Sequence, residues 1–290
     1  PQPHPYYNIC LSPFNMLESP LFLCYTFFNF KNEWRVTMDY GLIGEKLGHS
    51  YSKIIHEKLA DYTYDLCPLS KEEFKDFMEK REFKAINVTI PYKKDVIPYL
   101  KEMDESATAI GAVNTIVNKE GNLYGYNTDM PGFIYMVNQN KIQMKDKKVV
   151  VLGNGGAAQA IKAAVQKLGA REMIVVDIVP AEGVISYDEC FTHHTDADIL
   201  VNTSPVGMYP KVDASPVDLT AFPHCQAVLD VIYNPITTKL VAQARELGMI
   251  GVTGLEMLVA QALYAVEIFL QNDIPEEKIQ EIYKEILETL

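Results

Sequence analysis

A buried strand followed at once by a glycine-rich turn is the feature that most limits how this chain can fold. Residues 149–152 form a continuous apolar run, as expected of a strand that is covered on both faces. The turn Gly153-Asn154-Gly155-Gly156 separates this run from an alanine-rich helix that we expect over residues 157–168, and a second strand follows at 173–176. Strand, helix and strand in this order predict a parallel sheet in an α/β fold.

The residue types of this turn fit a phosphate-binding role. Glycine lets backbone N–H groups approach a pyrophosphate closely, and the start of the following helix adds unpaired donors and a partial positive charge. A tight turn without a ligand would use similar residues, but the strand and helix on either side favour a dinucleotide site. We therefore predict cofactor contacts from the turn and the first helical residue, namely Gly153, Asn154, Gly155, Gly156 and Ala157.

Asp177 ends the second strand, where the dinucleotide fingerprint expects an acidic residue. A carboxylate at this position accepts hydrogen bonds from both ribose hydroxyls and repels a 2′-phosphate. No lysine or arginine occurs between Asp177 and Lys211. We therefore expect NAD to be preferred, with NADP as the alternative cofactor. A simple turn residue at the end of a strand is the competing interpretation of Asp177.

Composition limits the partners of the protein. The chain has 290 residues, 48% hydrophobic and 22% charged, and a formal net charge of -12. An acidic chain without a basic stripe argues against nucleic-acid binding, and no apolar run reaches the roughly 18 residues that a membrane span needs. The five cysteines form no C-x-x-C pair, which is typical of free thiols in a reducing cytoplasm, and the histidines have no metal-ligand spacing. We expect a cytoplasmic monomer or homodimer without a metal.

The order of predicted elements indicates two domains with a deep cleft between them. We expect an α/β substrate domain over residues 38–140, a Rossmann-like domain over 141–255, and C-terminal helices over 256–290 that pack back on the substrate domain. Residues 1–37 contain prolines and aromatics without a helical or strand period, so we expect a non-native or disordered extension. Ser70 and Glu73 predict a capping box at the start of a helix. We also expect short helices over 94–100 and 105–110.

Four further motifs occur in a fixed order around the glycine turn, and together they resemble the shikimate dehydrogenase family. They are Gly44-Glu45-Lys46-Leu47-Gly48-His49-Ser50-Tyr51-Ser52, then Asn87-Val88-Thr89-Ile90-Pro91-Tyr92-Lys93, then Gly111-Ala112-Val113-Asn114-Thr115 with Asn127-Thr128-Asp129, and finally Met257-Leu258-Val259-Ala260-Gln261-Ala262. The resemblance extends from about Met38 to Gln271. It implies a dehydrogenase that interconverts 3-dehydroshikimate and shikimate with a nicotinamide cofactor.

The resemblance also implies the residues that bind the substrate. Ser50 and Ser52 match hydroxyls that hold the substrate carboxylate, although a serine at the start of a helix is equally explained as a cap. Neutral donors and acceptors that match ring-hydroxyl contacts are Asn87, Thr89, Asn114 and Gln261. Such a set suits a polyol. Tyr233 matches a further tyrosine on the substrate side.

Lys93 and Asp129 match the catalytic pair of the family. Hydride delivery to a ketone leaves an alkoxide that must gain a proton, and a positioned ammonium can donate that proton. Which of the two residues is the formal acid or base stays open at this point, so we treat them as one unit. The resemblance places five more residues beside the nucleotide or the nicotinamide: Thr203, Ser204, Pro205, Gly254 and Met257.

The chain departs from the family pattern on the cofactor side. Asp177-Ile178-Val179 stands where NADP-dependent members usually have Asn-Arg-Thr. The short segment over residues 179–197 suggests that a helix usually found there is lacking, and Glu256 adds a carboxylate close to the expected nicotinamide position. A quinate/shikimate dehydrogenase that prefers NAD is therefore the alternative activity. A non-catalytic nucleotide-sensing regulator with the same fold is the second alternative, and the presence of Lys93 and Asp129 argues against it.

Overall fold

The computed structural model of the protein describes residues 38–48 and 50–289. Within these residues, strands and helices alternate along most of the chain and build two six-stranded sheets. This arrangement confirms the α/β fold class that the strand–turn–helix pattern predicted. Our prediction for residues 1–37 lies outside the described part of the chain.

The first sheet is mixed, and it gathers several sequence motifs at one edge. Its strands are β1 Tyr40–Gly44, β2 Tyr64–Pro68, β3 Ala85–Val88, β4 Glu102–Met103, β5 Thr115–Lys119 and β6 Asn122–Tyr126. Across the sheet their order is β2-β1-β3-β5-β6-β4. Strands β1 and β3 are parallel, and β5 is antiparallel to both β3 and β6. The carboxyl ends of β1, β3 and β6 therefore lie at the same end of the strands as the start of β5, which we call the active-site edge. The segments that carry Ser50, Lys93, Asn114 and Asp129 connect to the sheet there.

The second sheet is entirely parallel, as the glycine-turn motif predicted. Its strands are β7 Lys148–Leu152, β8 Glu172–Val176, β9 Val184–Ile185, β10 Ile199–Asn202, β11 Ala227–Asp230 and β12 Ile250–Val252. Their order is β12-β11-β10-β7-β8-β9, and every neighbouring pair is parallel. All residues of β7 are buried, which explains its continuous apolar sequence. Ligands of open parallel sheets bind beyond the carboxyl ends of the strands, where the glycine turn lies.

Nine helices surround the sheets in the described residues: α1 Ser52–Leu59, α2 Lys71–Lys80, α3 Glu105–Ile110, α4 Asp129–Gln139, α5 Gly156–Lys167, α6 Tyr187–His193, α7 Lys239–Glu246, α8 Leu255–Leu270 and α9 Glu277–Glu288. Helices α4 and α8 approach closely because Gly132 has no side chain; a Cβ there would lie 2.9 Å from the Cβ of Gln261. Phe133 and Met257 pack together with β7 in one core cluster. None of these helices is long and apolar enough to cross a membrane.

The structure confirms one local prediction of the sequence analysis and contradicts two others. The Ser70–Glu73 capping box is present at the start of α2. The expected helix over residues 94–100 is wrong: Pro98 has no N–H to donate, and only the short 3-10 turn Ile97–Tyr99 forms. The expectation that residues 179–197 lack a helix is also wrong, because Ser186 caps α6 by accepting a hydrogen bond from the backbone N of Glu189 at 3.2 Å. The domain boundary near residue 140 falls between α4 and β7 and stays a prediction.

Candidate active site

Lys93 and Asp129 form a partly buried ion pair at the edge of the first sheet. Lys93 follows β3, Asp129 is the first residue of α4, and the Nζ of Lys93 donates to the Oδ2 of Asp129 at 2.5 Å. Their side chains are only 12% and 9% exposed. The N-terminus of a helix favours a carboxylate, so α4 supports the charge on Asp129. The structure thus joins two residues that the sequence predicted as one catalytic unit.

Asn114 holds the second oxygen of the Asp129 carboxylate. The Nδ2 of Asn114 donates to Asp129 Oδ1 at 3.0 Å and to Thr128 Oγ1 at 2.9 Å. In return, the Oδ1 of Asn114 accepts from the backbone N of Thr128 at 2.8 Å. Asn114 was predicted as a contact for a substrate hydroxyl. Its amide is here used to fix the carboxylate, because both of its Nδ2 hydrogens have protein acceptors.

Asn87 is likewise surrounded by protein partners. Its Nδ2 donates to the carbonyl of Asn114 at 3.2 Å and to Thr115 Oγ1 at 3.1 Å, and its Oδ1 accepts from the hydroxyl of Tyr64 at 2.7 Å. Only one lone pair of Oδ1 remains for a substrate hydroxyl. Tyr64 and Thr115 were missed by sequence reasoning. Tyr64 comes from a short strand that carries no motif, whereas Thr115 lies inside the Ala-Val-Asn-Thr motif and was identifiable from it.

The predicted carboxylate-binding hydroxyls lie together. The backbone N of Ser52 donates to Ser50 Oγ at 3.2 Å, and Ser50 also hydrogen-bonds the hydroxyl of Tyr233. Burial raises the pKa of Tyr233, and the bond with Ser50 opposes that rise, so the hydroxyl keeps its proton at neutral pH. The interpretation of Ser52 as a helix cap is wrong, since α1 begins at Ser52 and its cap is Tyr51.

Two predicted substrate contacts have no hydrogen bond to the ion pair in the described part of the chain. Thr89 directly follows β3, and its backbone N donates to the carbonyl of Ile43 at 2.9 Å. Gln261 lies on α8, where its Nε2 donates to the carbonyl of Leu258 at 2.8 Å. Within residues 38–48 and 50–289, no hydrogen bond joins either side chain to Lys93 or Asp129. Both side chains are half-buried, which leaves their polar groups available to a ligand.

The glycine turn is built against the loop after β10. Gly153 has a φ of +99°, and a Cβ there would lie 2.8 Å from the backbone N of Ser204, so only glycine fits. The Oγ1 of Thr203 donates to the carbonyl of Gly153 at 3.1 Å. Helix α5 begins at Gly156, and no side chain caps it. Uncapped amides of this kind suit a diphosphate, and a Cβ on Gly156 would lie 3.8 Å from the Cδ of Lys93.

Asp177 and Lys162 flank the turn with opposite charges. The carboxylate of Asp177 accepts from the backbone N of Asn154 at 2.6 Å and from that of Val179 at 2.9 Å. Lys162, which sequence reasoning missed, donates from Nζ to the Oδ1 of Asn154 at 3.0 Å. Burial lowers the pKa of Lys162, and the nearby charge of Lys94 lowers it further. A partly desolvated ammonium beside a glycine turn is suited to a phosphate group.

A second buried carboxylate supports the loop that carries Thr203 and Ser204. Asp230 is 0% exposed and accepts from Asn202 Nδ2 at 3.0 Å and from Thr238 Oγ1 at 2.7 Å. Burial raises its pKa to about 6 despite these donors. The Oδ1 of Asn202 then accepts from Ser204 Oγ at 2.7 Å. Asp230 was missed because an acid at a strand end carries no motif by itself.

Of the remaining predicted cofactor residues, Pro205 follows β10, and Gly254 and Met257 follow β12. Gly254 packs so tightly that a Cβ there would overlap the carbonyl oxygen of Val231, while Met257 is buried in the core cluster. Pro205 continues the Thr203-Ser204 loop. The carboxylate of Glu256, expected near the nicotinamide, instead accepts from Asn140 at 2.5 Å and from Gln280 at 3.2 Å. It ties α4 and α9 to α8.

Comparison with known proteins agrees with this geometry. Residues 42–116 match the family model described as the shikimate dehydrogenase substrate binding domain. A shikimate dehydrogenase (NADP(+)) of Clostridium beijerinckii is 38% identical over 259 residues, which cover 84% of this chain and 96% of that protein.

Solved structures give the same result. A chorismate mutase/shikimate 5-dehydrogenase fusion protein of Clostridium acetobutylicum superposes with a TM-score of 0.81 at 38% identity, covering 87% of this chain and 98% of that one. Shikimate 5-dehydrogenase of Thermus thermophilus, in complex with NADP(H) and shikimate, gives a TM-score of 0.77 at 27% identity, with 86% and 99% coverage. In the described residues no group of three or more His, Cys, Asp or Glu is arranged to hold a metal.

Proposed function

This chain belongs to the shikimate dehydrogenase family, and we propose that it catalyses the reversible reduction of 3-dehydroshikimate to shikimate with a nicotinamide dinucleotide. When bound, the nicotinamide supplies the hydride for reduction and accepts it in oxidation. The observation that carries the proposal is the Lys93–Asp129 ion pair, held at 2.5 Å beside the glycine turn. It brings a proton donor to the place where a dinucleotide and a ring acid would meet.

Lys93 and Asp129 move the proton that accompanies the hydride. In reduction, the ammonium of Lys93 donates a proton to the oxygen of the former ketone, and Asp129 stabilises and orients that ammonium. In oxidation, the same pair takes the hydroxyl proton. The low exposure of both side chains keeps competing water away from the transfer. Asn114 maintains the direction of the carboxylate throughout.

The hydroxyl cluster and the half-buried polar side chains would bind the ring acid. Ser50, Ser52 and Tyr233 offer hydroxyl donors to its carboxylate. Thr89 and Gln261 have the exposure needed to reach its ring hydroxyls. For Asn87 and Asn114 the bonds described above favour a structural part in the site, with a single Oδ1 lone pair of Asn87 left for the substrate.

On the cofactor side, we propose a preference for NAD that rests on Asp177. Its carboxylate stands at the end of β8, and the following residues up to Tyr209 contribute no lysine or arginine to bind a 2′-phosphate. Two of the relatives named above carry NADP(+) or NADP(H) in their names, so the proposed preference rests on the residues of this chain alone. A cytoplasmic location is supported by the cysteines of the described residues, Cys67, Cys190 and Cys225, which are buried and free.

A four-way assay tests the activity. The purified protein is given shikimate or quinate together with NAD or NADP, and absorbance of the reduced nicotinamide is followed. We expect turnover with shikimate and NAD at a higher kcat/KM than with NADP. Faster turnover with quinate would show that quinate is the preferred substrate. Faster turnover with NADP would refute the proposed role of Asp177, while the proposed role of Lys93 would stand. No turnover in any combination would refute the enzymatic proposal.

A further inference from the structure

We propose that Tyr64 is a positioning residue for the Lys93–Asp129 pair, and that it acts through a continuous buried chain of Asn87, Thr115 and Asn114. The inference rests on the proposed function. Tyr64 lies on β2, two strands away from β3, whose end precedes Lys93. Within the residues that the structure describes, its side chain has no hydrogen bond to either residue of the ion pair. It can influence the reaction only through the orientation of the intervening side chains Asn87, Thr115 and Asn114.

The first bond of the chain stabilises the direction in which the Asn87 amide points. Tyr64 is 0% exposed, and its hydroxyl donates to the Oδ1 of Asn87 at 2.7 Å. With Oδ1 on that side, the Nδ2 faces the carbonyl of Asn114 at 3.2 Å. A flipped amide would set two oxygens against each other there and leave a buried acceptor without a donor, which is unfavourable. The carbonyl of Asn114 can only accept and so fixes this orientation of Asn87, and the Tyr64 hydroxyl stabilises it by donating to Oδ1.

The next bonds carry this direction to the carboxylate. Asn87 donates to Thr115 Oγ1 at 3.1 Å, so Thr115 directs its own proton to the Oδ1 of Asn114 at 3.0 Å. An occupied Oδ1 turns the Nδ2 of Asn114 towards Asp129 Oδ1, 3.0 Å away. Every member of the chain is buried, with Asn87 at 5%, Asn114 at 3% and Thr115 at 0% exposure. Water is not available to replace a missing partner.

The outcome is a carboxylate whose two oxygens have different tasks. Asn114 occupies Oδ1, which leaves Oδ2 for Lys93 at 2.5 Å. Without the Tyr64 donor, the Oδ1 of Asn87 loses its partner in the protein, and the chain loses its first bond. The backbone N of Thr128 still donates to Asn114 Oδ1 at 2.8 Å, so the alignment of the carboxylate with the ammonium is loosened and not abolished. Proton transfer depends steeply on such alignment, whereas binding of the dinucleotide at the glycine turn does not involve this chain.

Tyr64 is itself held by aromatic neighbours. The ring of His56 stacks on it with centroids 3.9 Å apart and planes 14° apart. His56 Nδ1 is in turn 2.8 Å from the hydroxyl of Tyr62. Burial raises the pKa of Tyr64 well above its ordinary value, so its hydroxyl remains a donor at all working pH values. Tyr62 belongs to the same aromatic group but has no bond to Asn87, which makes it a matched control.

The test compares Tyr64→Phe with Tyr62→Phe in the full chain, using shikimate oxidation. For Tyr64→Phe we expect kcat to fall about five- to twentyfold, as for loss of one buried hydrogen-bond donor, with the KM for the dinucleotide within about twofold of the parent. Tyr62→Phe should leave kcat within about twofold. A kcat for Tyr64→Phe equal to that of Tyr62→Phe would overturn the proposal, and so would a matching rise in the dinucleotide KM.

A double-mutant cycle separates positioning from general damage. If Tyr64 acts through the pair, adding Tyr64→Phe to Lys93→Ala should reduce the remaining rate by less than about twofold; a full further loss would overturn the proposal. Should Tyr64→Phe fail to fold, Thr115→Val interrupts the same chain and should give the same fall in kcat, while an unchanged kcat would again refute it. An inactive parent protein, by contrast, would refute the proposed function itself.

Discussion

The two sides of the site are built on opposite principles. Around Lys93 and Asp129, buried side chains satisfy one another: the amides of Asn87 and Asn114 and both oxygens of Asp129 have protein partners. Around the glycine turn, no side chain of the described residues caps the amides at the start of α5, and a Cβ at Gly155 would meet none of their atoms within 4 Å. The first region is organised before any ligand arrives, as proton transfer requires. The second keeps its donors free, as phosphate binding requires.

The largest effect on kcat should come from replacing Lys93 in the first region. Lys93→Ala removes the proton donor but leaves the glycine turn intact. We expect kcat for shikimate oxidation to fall about 10²- to 10⁴-fold, with little change in the Kd for the dinucleotide. Steady-state kinetics and fluorescence titration of bound reduced cofactor measure the two quantities. A rate within about tenfold of the parent would contradict the assignment of Lys93. Lys94→Ala, at the adjacent exposed lysine, is the matched control.

The second region should respond to glycine substitutions in two separable ways. Gly153→Ala forces a Cβ to within 2.8 Å of the backbone N of Ser204 at a φ of +99°, so we expect a loss of about 1–3 kcal/mol in the free energy of unfolding. A Cβ at Gly155 meets no protein atom within 4 Å and φ there is -77°. Gly155→Ala should therefore leave the stability unchanged and weaken dinucleotide binding. Denaturant unfolding and binding titrations check both; equal stability losses would contradict this picture.

The region around the glycine turn was predictable from local sequence, whereas the region around Lys93 and Asp129 was not. The glycine turn and its strand were predictable because backbone geometry imposes residue types in a fixed local order. Lys93 and Asp129 were reached only through the family resemblance, since a lysine or an aspartate alone carries no signal. Tyr64 and Asp230 were missed because their roles depend on partners more than 20 residues away, Asn87 for Tyr64 and Asn202 for Asp230. The helix expected over residues 94–100 was wrong because Pro98 was given too little weight.

The stability of the first region should depend on pH through His56, which stacks on Tyr64. Burial lowers the pKa of His56 from 6.5 to about 3, so below pH 6.5 the unfolded chain binds a proton that the folded protein does not. The free energy of unfolding should then fall by up to about 1.4 kcal/mol per pH unit between pH 6.5 and pH 3. Asp230, with a pKa raised to about 6, acts in the opposite direction, so the parent alone does not isolate His56.

The measurement is therefore the difference between His56→Phe and the parent in urea unfolding from pH 7 to pH 4.5. The variant should lose less stability than the parent as the pH falls. The exposed His224 offers a control, and His224→Gln should follow the parent. Parallel curves for parent and His56→Phe would show that His56 is protonated equally in the folded and unfolded states, which its burial argues against.

The smallest effect should come from the ribose side of the turn, where Asp177 already accepts hydrogen bonds from two backbone N–H groups at 2.6 and 2.9 Å. Asp177→Asn removes the negative charge that opposes a 2′-phosphate but keeps the size of the side chain. We expect the ratio of kcat/KM for NADP to that for NAD to rise roughly fivefold, or about 1 kcal/mol, because the site is half-exposed and solvent screens the charge. Glu182 is an exposed carboxylate in the same segment between β8 and β9. Glu182→Gln therefore controls for the loss of a negative charge that is not at the predicted ribose position. If the ratio does not change, Asp177 serves only to hold the backbone of Asn154 and Val179. The charged side chain that determines how this chain binds the cofactor phosphates is then Lys162, whose ammonium lies beside Asn154.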